Sequence, residues 1–511
     1  MRSPTERSGD NIDPMRVPTW LILGTSFLLV IALAIAVGTG AMPLGVRGEW
    51  EWLRAKGTPP FDGMALALLG VAAYALFVGL AYRGLAVRPS VRLEGSLLAA
   101  LLAASIGMQI LIPMAAAPGY DLSKWAAVNF LPGSAGYFKI ARQQAMRDPW
   151  KFLADYPQWI RSQDSLHIGT HPPGLIAAQC LLLGVMEKSP GITRFLVEHM
   201  PETVELGFRV FADKEREPLS REDRAALYAT ALVTLIACAG TVVPLYLLSR
   251  TSLPAHAAWA AAACWPLVPS ANLFQPVADT AYPFLSTSAI ALAAWGARGR
   301  GGAATARRLS WVLAVASGMT MAAGMFFTLA FLPVGLIVAL VVSGTVAIPR
   351  AQRALVIVTI GLGFSALMLC GWLVIGANPL VVAAWNLHHH ARFYDEYPRT
   401  YGLWLFVNPL ELAIALGIPA VLWCAFGLFT PRRVPLFVWS TIAVLALTNL
   451  TGRNMGEVAR LWMLYFPPVL GGTGLGLARV GTSAAPLAVT VALLGVQTLA
   501  LQSFIQVVYP V

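Results

Sequence analysis

Thirteen stretches of mostly apolar residues recur along the chain, near 18–40, 63–82, 95–116, 226–249, 254–272, 281–297, 309–325, 327–345, 354–376, 409–429, 434–450, 461–478 and 484–508. Each is about 20 residues long, enough for a helix to cross the hydrocarbon core of a bilayer. The pattern predicts an all-α, polytopic transmembrane helical bundle of about 13 spans. One polar segment interrupts it, at 115–225. Its charges are costly in hydrocarbon, so it lies in water or on the bilayer surface. The chain therefore divides into N-terminal spans (1–114), a large loop with amphipathic and interfacial helices (115–225) and a C-terminal bundle (226–511).

Composition agrees with the pattern. Hydrophobic residues make up 57% of the 511 positions and charged residues only 12%, against roughly 25% in soluble domains. The net charge of +11 does not point to nucleic acid, because no basic run has interleaved aromatics. It reflects short basic loops that set topology. Arg2, Arg7, Arg16, Arg83, Arg88 and Arg92 share one side. Arg250, Arg298, Arg300, Arg307, Arg308, Arg350, Arg353, Arg432, Arg433 and Arg479 join them only if Gly174–Met186, a short apolar segment, is not a span. That segment is therefore expected as a helix lying at the outer interface or dipping in. The N-terminus is then cytoplasmic, the 115–225 loop is extracytoplasmic, and the loops 275–283, 378–409 and 451–460 share its side. The expected location is a plasma (inner) membrane, crossed many times. The first apolar segment is long for a cleaved signal peptide and reads as a retained span.

The five cysteines lie far apart in apolar stretches and read as buried free thiols. There is no internal repeat, no inverted symmetry of hydropathy and no pair of Gly/Pro-broken helices in corresponding halves. Common secondary-transporter designs show such features. No phosphate-binding glycine loop, serine-hydrolase elbow or zinc-protease motif occurs.

The unusual polar residues gather in the outer loops. Asp121 follows the third span at once, where a carboxylate can take the proton of an attacking acceptor or merely cap a turn. His167 and His171 precede Pro172-Pro173-Gly174. They can meet phosphate or form a structural turn, and two histidines are fewer than a catalytic zinc ordinarily needs. Asp279 can contact acceptor, sugar or a divalent ion, or cap the next helix. His388, His389 and His390 are consecutive, so on a helix they point in three directions. Arg392 and Arg399, with Tyr394 nearby, suit phosphate. The same aromatic-rich segment also fits an interfacial belt. Arg453, Glu457 and Arg460 would share a face if helical. Either they form a salt-bridged turn or they bind phosphate or sugar. No cofactor is required by any motif, and a divalent cation stays an open alternative.

The motifs Tyr137-Phe138-Lys139-Ile140-Ala141-Arg142 and His171-Pro172-Pro173-Gly174-Leu175, in this order after a span and an acidic residue, resemble the C-fold (GT-C) membrane glycosyltransferases. Protein O-mannosyltransferases and lipid A aminoarabinose transferases are of this type. The resemblance covers roughly 119–298 and includes Asp279 in the second outer loop. It implies transfer of a sugar from a polyprenyl-phosphate-linked donor to a glycolipid, cell-wall polymer or protein. Asp121 would be the general base, and Arg392, Arg399, Arg453 and Arg460 would neutralise the leaving phosphate. Two positions depart from the family pattern. Gly133-Ser134 stands where the family has Asp-Glu, and His171 stands where it has Lys. The rival readings are a transporter or flippase for a lipid-linked or anionic substrate, and a non-catalytic assembly protein.

Overall fold

The computed structural model describes residues 19–41, 44–131, 134–215, 218–298, 304–429 and 434–506. Arg2, Arg7, Arg16, Arg300, Arg432, Arg433 and Gly133 lie outside the described residues. The chain is helical almost throughout, and every one of the thirteen apolar stretches forms helix. Among the described residues, six helices are long and apolar enough to cross a membrane: Thr19–Thr39, Phe61–Val87, Val91–Ala115, Arg221–Ser249, Arg350–Ile375 and Ala484–Phe504. This is a multi-pass membrane protein.

Thirteen helices of spanning length are not found among the described residues. Counting each of two sharply bent helix pairs as one span raises the six to eight. The physical reason is punctuation within the apolar stretches. The 254–272 stretch is cut into Ala255–Cys264, Trp265–Leu267 and Pro269–Leu273, at Pro266 and Pro269. Tyr401–Leu416 and Ile418–Leu428 meet at 107°. Gly417 between them has φ +106°, a conformation that glycine alone adopts freely. Gly174–Lys188 and Pro190–Glu198 bend by 101°, because proline cannot continue the preceding helix. Broken helices are thus present, one within 174–198 and one within 401–428.

The helix Phe61–Val87 runs between two ends of the bundle that differ in chemistry. At one end Tyr82 donates to the Gly481 carbonyl (2.9 Å), Arg250 Nε meets Glu94 Oε2 (3.0 Å), and Arg298 Nη2 donates to the Thr251 carbonyl (2.6 Å). These contacts join the short basic loops. At the other end lie the 115–225 segment and the loops near 279, 390 and 457. Two small antiparallel strand pairs sit there too, Gly45–Val46 with Trp50–Glu51 and Leu53–Arg54 with Ile505–Gln506. Cys370 is exposed on the bundle, whereas the other four cysteines are buried.

The polar segment folds on its own apolar core. Trp125, Phe130, Phe138, Tyr156, Phe208 and Phe211 are buried together. Phe130 meets Phe211 edge-on at 4.7 Å. The segment is tied to the spans by polar pins. Arg142 Nε forms an ion pair with Asp223 Oδ1 (2.9 Å), and the buried Lys124 donates to the Leu273 carbonyl (2.9 Å). Burial pulls Lys124 down to about 7, although Asp121 beside it opposes that shift. The segment's apolar helix, Gly174–Lys188, begins with Gly174 N donating to the Phe326 carbonyl (2.9 Å). A side chain at Gly174 would collide with that carbonyl.

The run Gly471-Gly472-Thr473-Gly474 belongs to helix Phe466–Arg479, which packs closely on Ile418–Leu428 and Ala255–Cys264. A Cβ at Gly476 would strike the Trp423 carbonyl, and one at Gly474 the Ala257 carbonyl. Backbone touches backbone here, the small-residue packing expected in membranes. Gly476→Leu is expected to lower the unfolding free energy in micelles by about 3 kcal/mol, the upper range for overpacking. Gly184→Leu, with open space around it, should leave it unchanged. Equal stability of the two variants would show that the packing is loose.

Candidate active site

A cavity of about 250 Å³ is lined by Ser134, Tyr137, His167, His171, Asp279 and Arg460, with Ala135, Leu175, Val277 and Ala278. Four of the residues singled out in the sequence therefore meet in one place: His167, His171, Asp279 and Arg460. They arrive from separate elements: the turn before Gly174–Lys188, the 3₁₀ turn Ala278–Thr280, and the short helix Val458–Leu461.

The charges form a chain. Arg460 Nη1 is 4.0 Å from Asp279 Oδ2, and its Nη2 donates to Glu457 Oε2 at 2.8 Å. The other Glu457 oxygen accepts from Arg399 Nη2 at 2.9 Å. Their side chains are only 5–22% exposed. Burial works against the Arg460 charge, but the Asp279 and Glu457 carboxylates hold its pKa above the ordinary value. Burial would likewise raise Glu457, but the Arg460 and Arg399 guanidinium groups bring it below the usual carboxylate value.

The 451–460 segment is not the helix that would put Arg453, Glu457 and Arg460 on one face. Residues 451–457 form a loop, and Glu457 takes φ +58°. Side chains of the preceding helices hold it in that shape through its backbone. Tyr394 OH donates to the Arg453 carbonyl (3.0 Å) and accepts from Met455 N (2.9 Å). Arg399 Nη1 donates to the Met455 carbonyl. Asn408 accepts from Gly456 N (3.0 Å) and donates to the Asn454 carbonyl (2.7 Å). Glu411 accepts from Ala459 N (3.0 Å). The Arg399 guanidinium lies over the rings of Phe393 (5.3 Å) and Trp404 (5.7 Å), a cation–π cradle.

His171 Nδ1 lies 2.8 Å from the His167 carbonyl. A carbonyl only accepts, so Nδ1 carries the hydrogen. The Tyr137 ring packs edge-on against the His171 ring (5.9 Å), and its hydroxyl donates to the same carbonyl (3.3 Å). Burial lowers the His171 pKa, more than Asp279 and the backbone bond raise it.

Other expected residues sit elsewhere. Asp121 Oδ1 accepts from Ser123 N (2.9 Å), and Asp121 is not among the cavity-lining residues. His388 is exposed and packs on Trp385 (5.3 Å). His389 is buried, and its Nε2 donates to the Ile160 carbonyl (2.9 Å), which pins helix Pro379–Glu396 to the polar segment. His390 Nε2 donates to the Arg453 carbonyl (3.1 Å). Arg392 is half-exposed and pairs with Glu396 (3.0 Å). Arg453 contributes its backbone to these bonds, and its side chain is exposed. Among the described residues, no three His, Cys, Asp or Glu side chains group as metal ligands.

Sequence reasoning missed Tyr137 as a wall of the cavity. It also missed Asn408 and Glu411, both buried polar residues in an apolar helix and both holding the site loop. That signal was available, since polar residues inside spans are costly and seldom idle. Glu49 was missed as well. It accepts from Thr400 N (2.9 Å), Thr400 Oγ1 (2.6 Å) and Trp404 Nε1 (2.6 Å), bonding the start of helix Tyr401–Leu416 beside Arg399.

A second, apolar cleft of about 480 Å³ lies next along the chain. Pro172, Pro173, Phe326, Trp372, Val382 and Ala383 are among its walls. The turn His171-Pro172-Pro173 thus faces a polar cavity at one residue and an apolar cleft at the next two.

No family model matches the chain, and no curated protein matches it. Two solved structures are similar in backbone course. The Archaeoglobus fulgidus oligosaccharyltransferase in complex with zinc and sulfate matches at 16% identity and a TM-score of 0.40, over 77% of this chain and 53% of that one. The oligosaccharyltransferase AglB of the same organism, in complex with an inhibitory peptide and a dolichol-phosphate, matches at 15% identity and a TM-score of 0.28, over 68% and 50%. The chain spans about half the length of the solved chains it matches.

Arg399→Met removes one of the two partners of Glu457. The expected loss of stability is about 2 kcal/mol, below the 3–5 of a fully buried pair because Glu457 keeps some exposure and Arg460. Combined with Glu457→Gln in a double-mutant cycle, a coupling above about 1 kcal/mol is expected, and additivity would show the pair to be inert. Glu457 is depressed from its ordinary value of 4.5. Its contribution is therefore complete above pH 4.5 and is lost as pH falls through the lower folded value. Acid unfolding of Glu457→Gln should consequently be less steep below pH 4.5 than that of the parent.

Proposed function

We propose that the protein is a membrane glycosyltransferase. It transfers a sugar from a polyprenyl-phosphate-linked donor to an extracytoplasmic glycolipid, cell-wall polymer or protein. One observation carries this reading: a polar cavity holding Arg460 and Asp279 shares the His171-Pro172-Pro173 turn with an apolar cleft. A lipid-linked phosphate needs both environments within one bond or two of each other. The cleft takes the first isoprene units, and the cavity takes the phosphate and sugar.

Arg460 is suited to the leaving phosphate. Its Nη2 is held by Glu457, while Nη1 stands 4.0 Å from Asp279, outside hydrogen-bond reach and so available to an anion. A fixed cation at the departing oxygen stabilises charge that develops only in the transition state. Asp279 lies opposite, in position to accept from a sugar hydroxyl. Arg399 acts through Glu457, not on substrate. The site faces the outside of a plasma membrane in this reading, since the basic loops meet at the other end of the bundle. The end-on clustering of the polar side chains favours transfer at the membrane surface over passage through it.

The test uses the full chain in lipid vesicles with radiolabelled polyprenyl-phosphate-linked hexoses and pentoses, and a native membrane extract as acceptor. Label is expected to move to an acceptor for at least one donor. Arg460→Gln should lower kcat/KM by about 10²–10³-fold, the usual cost of a lost oxyanion-type donor. Ala383→Trp, in the cleft, should raise KM for a long-chain donor about tenfold, the equivalent of roughly 1.4 kcal/mol of binding, and spare a farnesyl-length one. Transport of intact donor without release of its sugar would replace this reading with the flippase.

A further inference from the structure

The departure from the family pattern at Gly133-Ser134 leaves the acceptor's proton without an evident destination. Asp121 is engaged with Ser123 N and does not line the cavity. A base must sit in the cavity itself, in a form that is unprotonated at neutral pH, with a lone pair aimed at bound substrate.

We infer that His171, through Nε2, is the general base of the transfer. This rests on the glycosyltransferase reading and assigns its proton-accepting group. Nδ1 is committed as a donor to the His167 carbonyl at 2.8 Å, with the Thr170 hydroxyl also near at 3.1 Å. In the neutral ring, Nε2 then bears the lone pair. Nε2 has no hydrogen-bond partner among the described residues, and His171 lines the cavity that also holds Asp279 and Arg460.

The ring cannot swing away. Tyr137 packs edge-on against it, and the His171 carbonyl accepts from Tyr156 OH (2.9 Å) and Asn386 Nδ2 (3.0 Å). Backbone, Nδ1 and ring face are all fixed, which leaves one nitrogen to act. This is the arrangement of an oriented base, where a carbonyl takes the place of the orienting carboxylate.

The charged and titratable groups around the ring include Asp279 from the Ala278–Thr280 turn, Arg460 from Val458–Leu461, His390 from Pro379–Glu396, Tyr137 from Tyr137–Gln143, Tyr156 from Pro149–Trp159, and His167 from its own turn. Burial, Arg460 and His390 favour the neutral ring, and Asp279 favours the charged one. Asp279 thus stabilises the imidazolium that forms as the proton arrives.

The step balances as follows. The acceptor O–H bond breaks and its proton moves to Nε2. The acceptor oxygen forms the new bond to the anomeric carbon. The bond from that carbon to the phosphate oxygen breaks, and its electron pair leaves with polyprenyl phosphate, whose second negative charge meets Arg460 Nη1. The imidazolium then returns its proton to water.

The experiment compares wild type, His171→Gln and His171→Ala in vesicles, with the donor panel and acceptor extract given above. Farnesyl phosphate binding and thermal unfolding serve as controls for folding. The expected result has three parts. Both variants bind farnesyl phosphate within threefold of wild type. Their kcat falls by about 10²–10³-fold, the usual contribution of a general base, with KM little changed. Imidazole restores part of the His171→Ala rate and none of the His171→Gln rate. The wild-type rate should also fall on the acid side through a pKa below 6.5, and that limb should vanish in the variants.

If His171→Gln keeps more than a fifth of the rate and the acid limb, the assignment is overturned while glycosyl transfer stands. If farnesyl phosphate binding is lost along with the rate in folded variants, His171 is a phosphate ligand and not the base. If wild type releases sugar from no donor, the glycosyltransferase reading itself fails and the base assignment falls with it.

Discussion

The structure turns on a line of four alternating charges, Asp279–Arg460–Glu457–Arg399, set at one end of a bundle that is otherwise apolar. Two cations and two anions cancel, which is the condition for keeping so many ionised groups out of water. Glu457 is the centre, with one oxygen for each arginine. Without it, Arg399 is left with the Met455 carbonyl and Arg460 with Asp279 at 4.0 Å. The line also has a graded tightness. Its contacts at Arg399 and at Arg460 Nη2 are 2.9 and 2.8 Å, and its last link to Asp279 is 4.0 Å. The loose link is the one that borders the cavity. An anion can enter there without breaking the rest.

That line depends in turn on a loop with no helix or strand of its own before Val458. Its shape comes from side chains of two preceding helices and of the link between them, each of which reaches a backbone group of 453–459: Tyr394, Arg399, Asn408 and Glu411. Glu457 accepts a left-handed φ, uncommon for a residue with a side chain, because these bonds fix its neighbours on both sides. The 44–54 region joins the scaffold through Glu49, which bonds Thr400 and Trp404 beside Arg399. Elements more than 300 residues apart therefore converge on a single guanidinium.

How much of this was legible in the sequence follows from the range of each cause. Apolar runs are local, so the helices were visible. So was the loop-bound character of 115–225, because burying its charges in lipid is expensive. Breaks inside the runs were less visible. A proline or glycine marks a place where a helix can end, yet whether it bends by 107°, as at Gly417, depends on what packs around it. His171, Asp279, Glu457 and Arg460 stood out because ionisable groups at span ends are uncommon. Their meeting in one cavity was not readable, since it is made by contacts across hundreds of residues. The same holds for the expected helix through Arg453 and Arg460. The charge spacing fitted a helix, but hydrogen bonds from elsewhere in the chain overrode it. The histidine triplet shows the limit most plainly. Three adjacent histidines take three jobs: His388 is exposed, His389 pins the polar segment, and His390 holds the Arg453 carbonyl.

The turn from His167 to Gly174 carries the final step of the reasoning. Asn386 donates to the Gly169 and His171 carbonyls (2.8 and 3.0 Å), Tyr156 donates to His171, and Gly174 N bonds the Phe326 carbonyl. Two prolines between these anchors fix φ further. So rigid a connection is not needed to join two helices. It is needed if a polar cavity and an apolar cleft must be kept in register, one residue apart. A lipid-linked phosphate has a boundary of the same kind, between a charged head and a hydrocarbon tail, and it cannot slide along a site whose own boundary is fixed. In the proposed transfer, preorganising that boundary would place the bond to be broken beside Arg460 and the His171 ring before any chemistry begins. Arg460 would supply the cation there, and the His171 ring a neutral acceptor of protons.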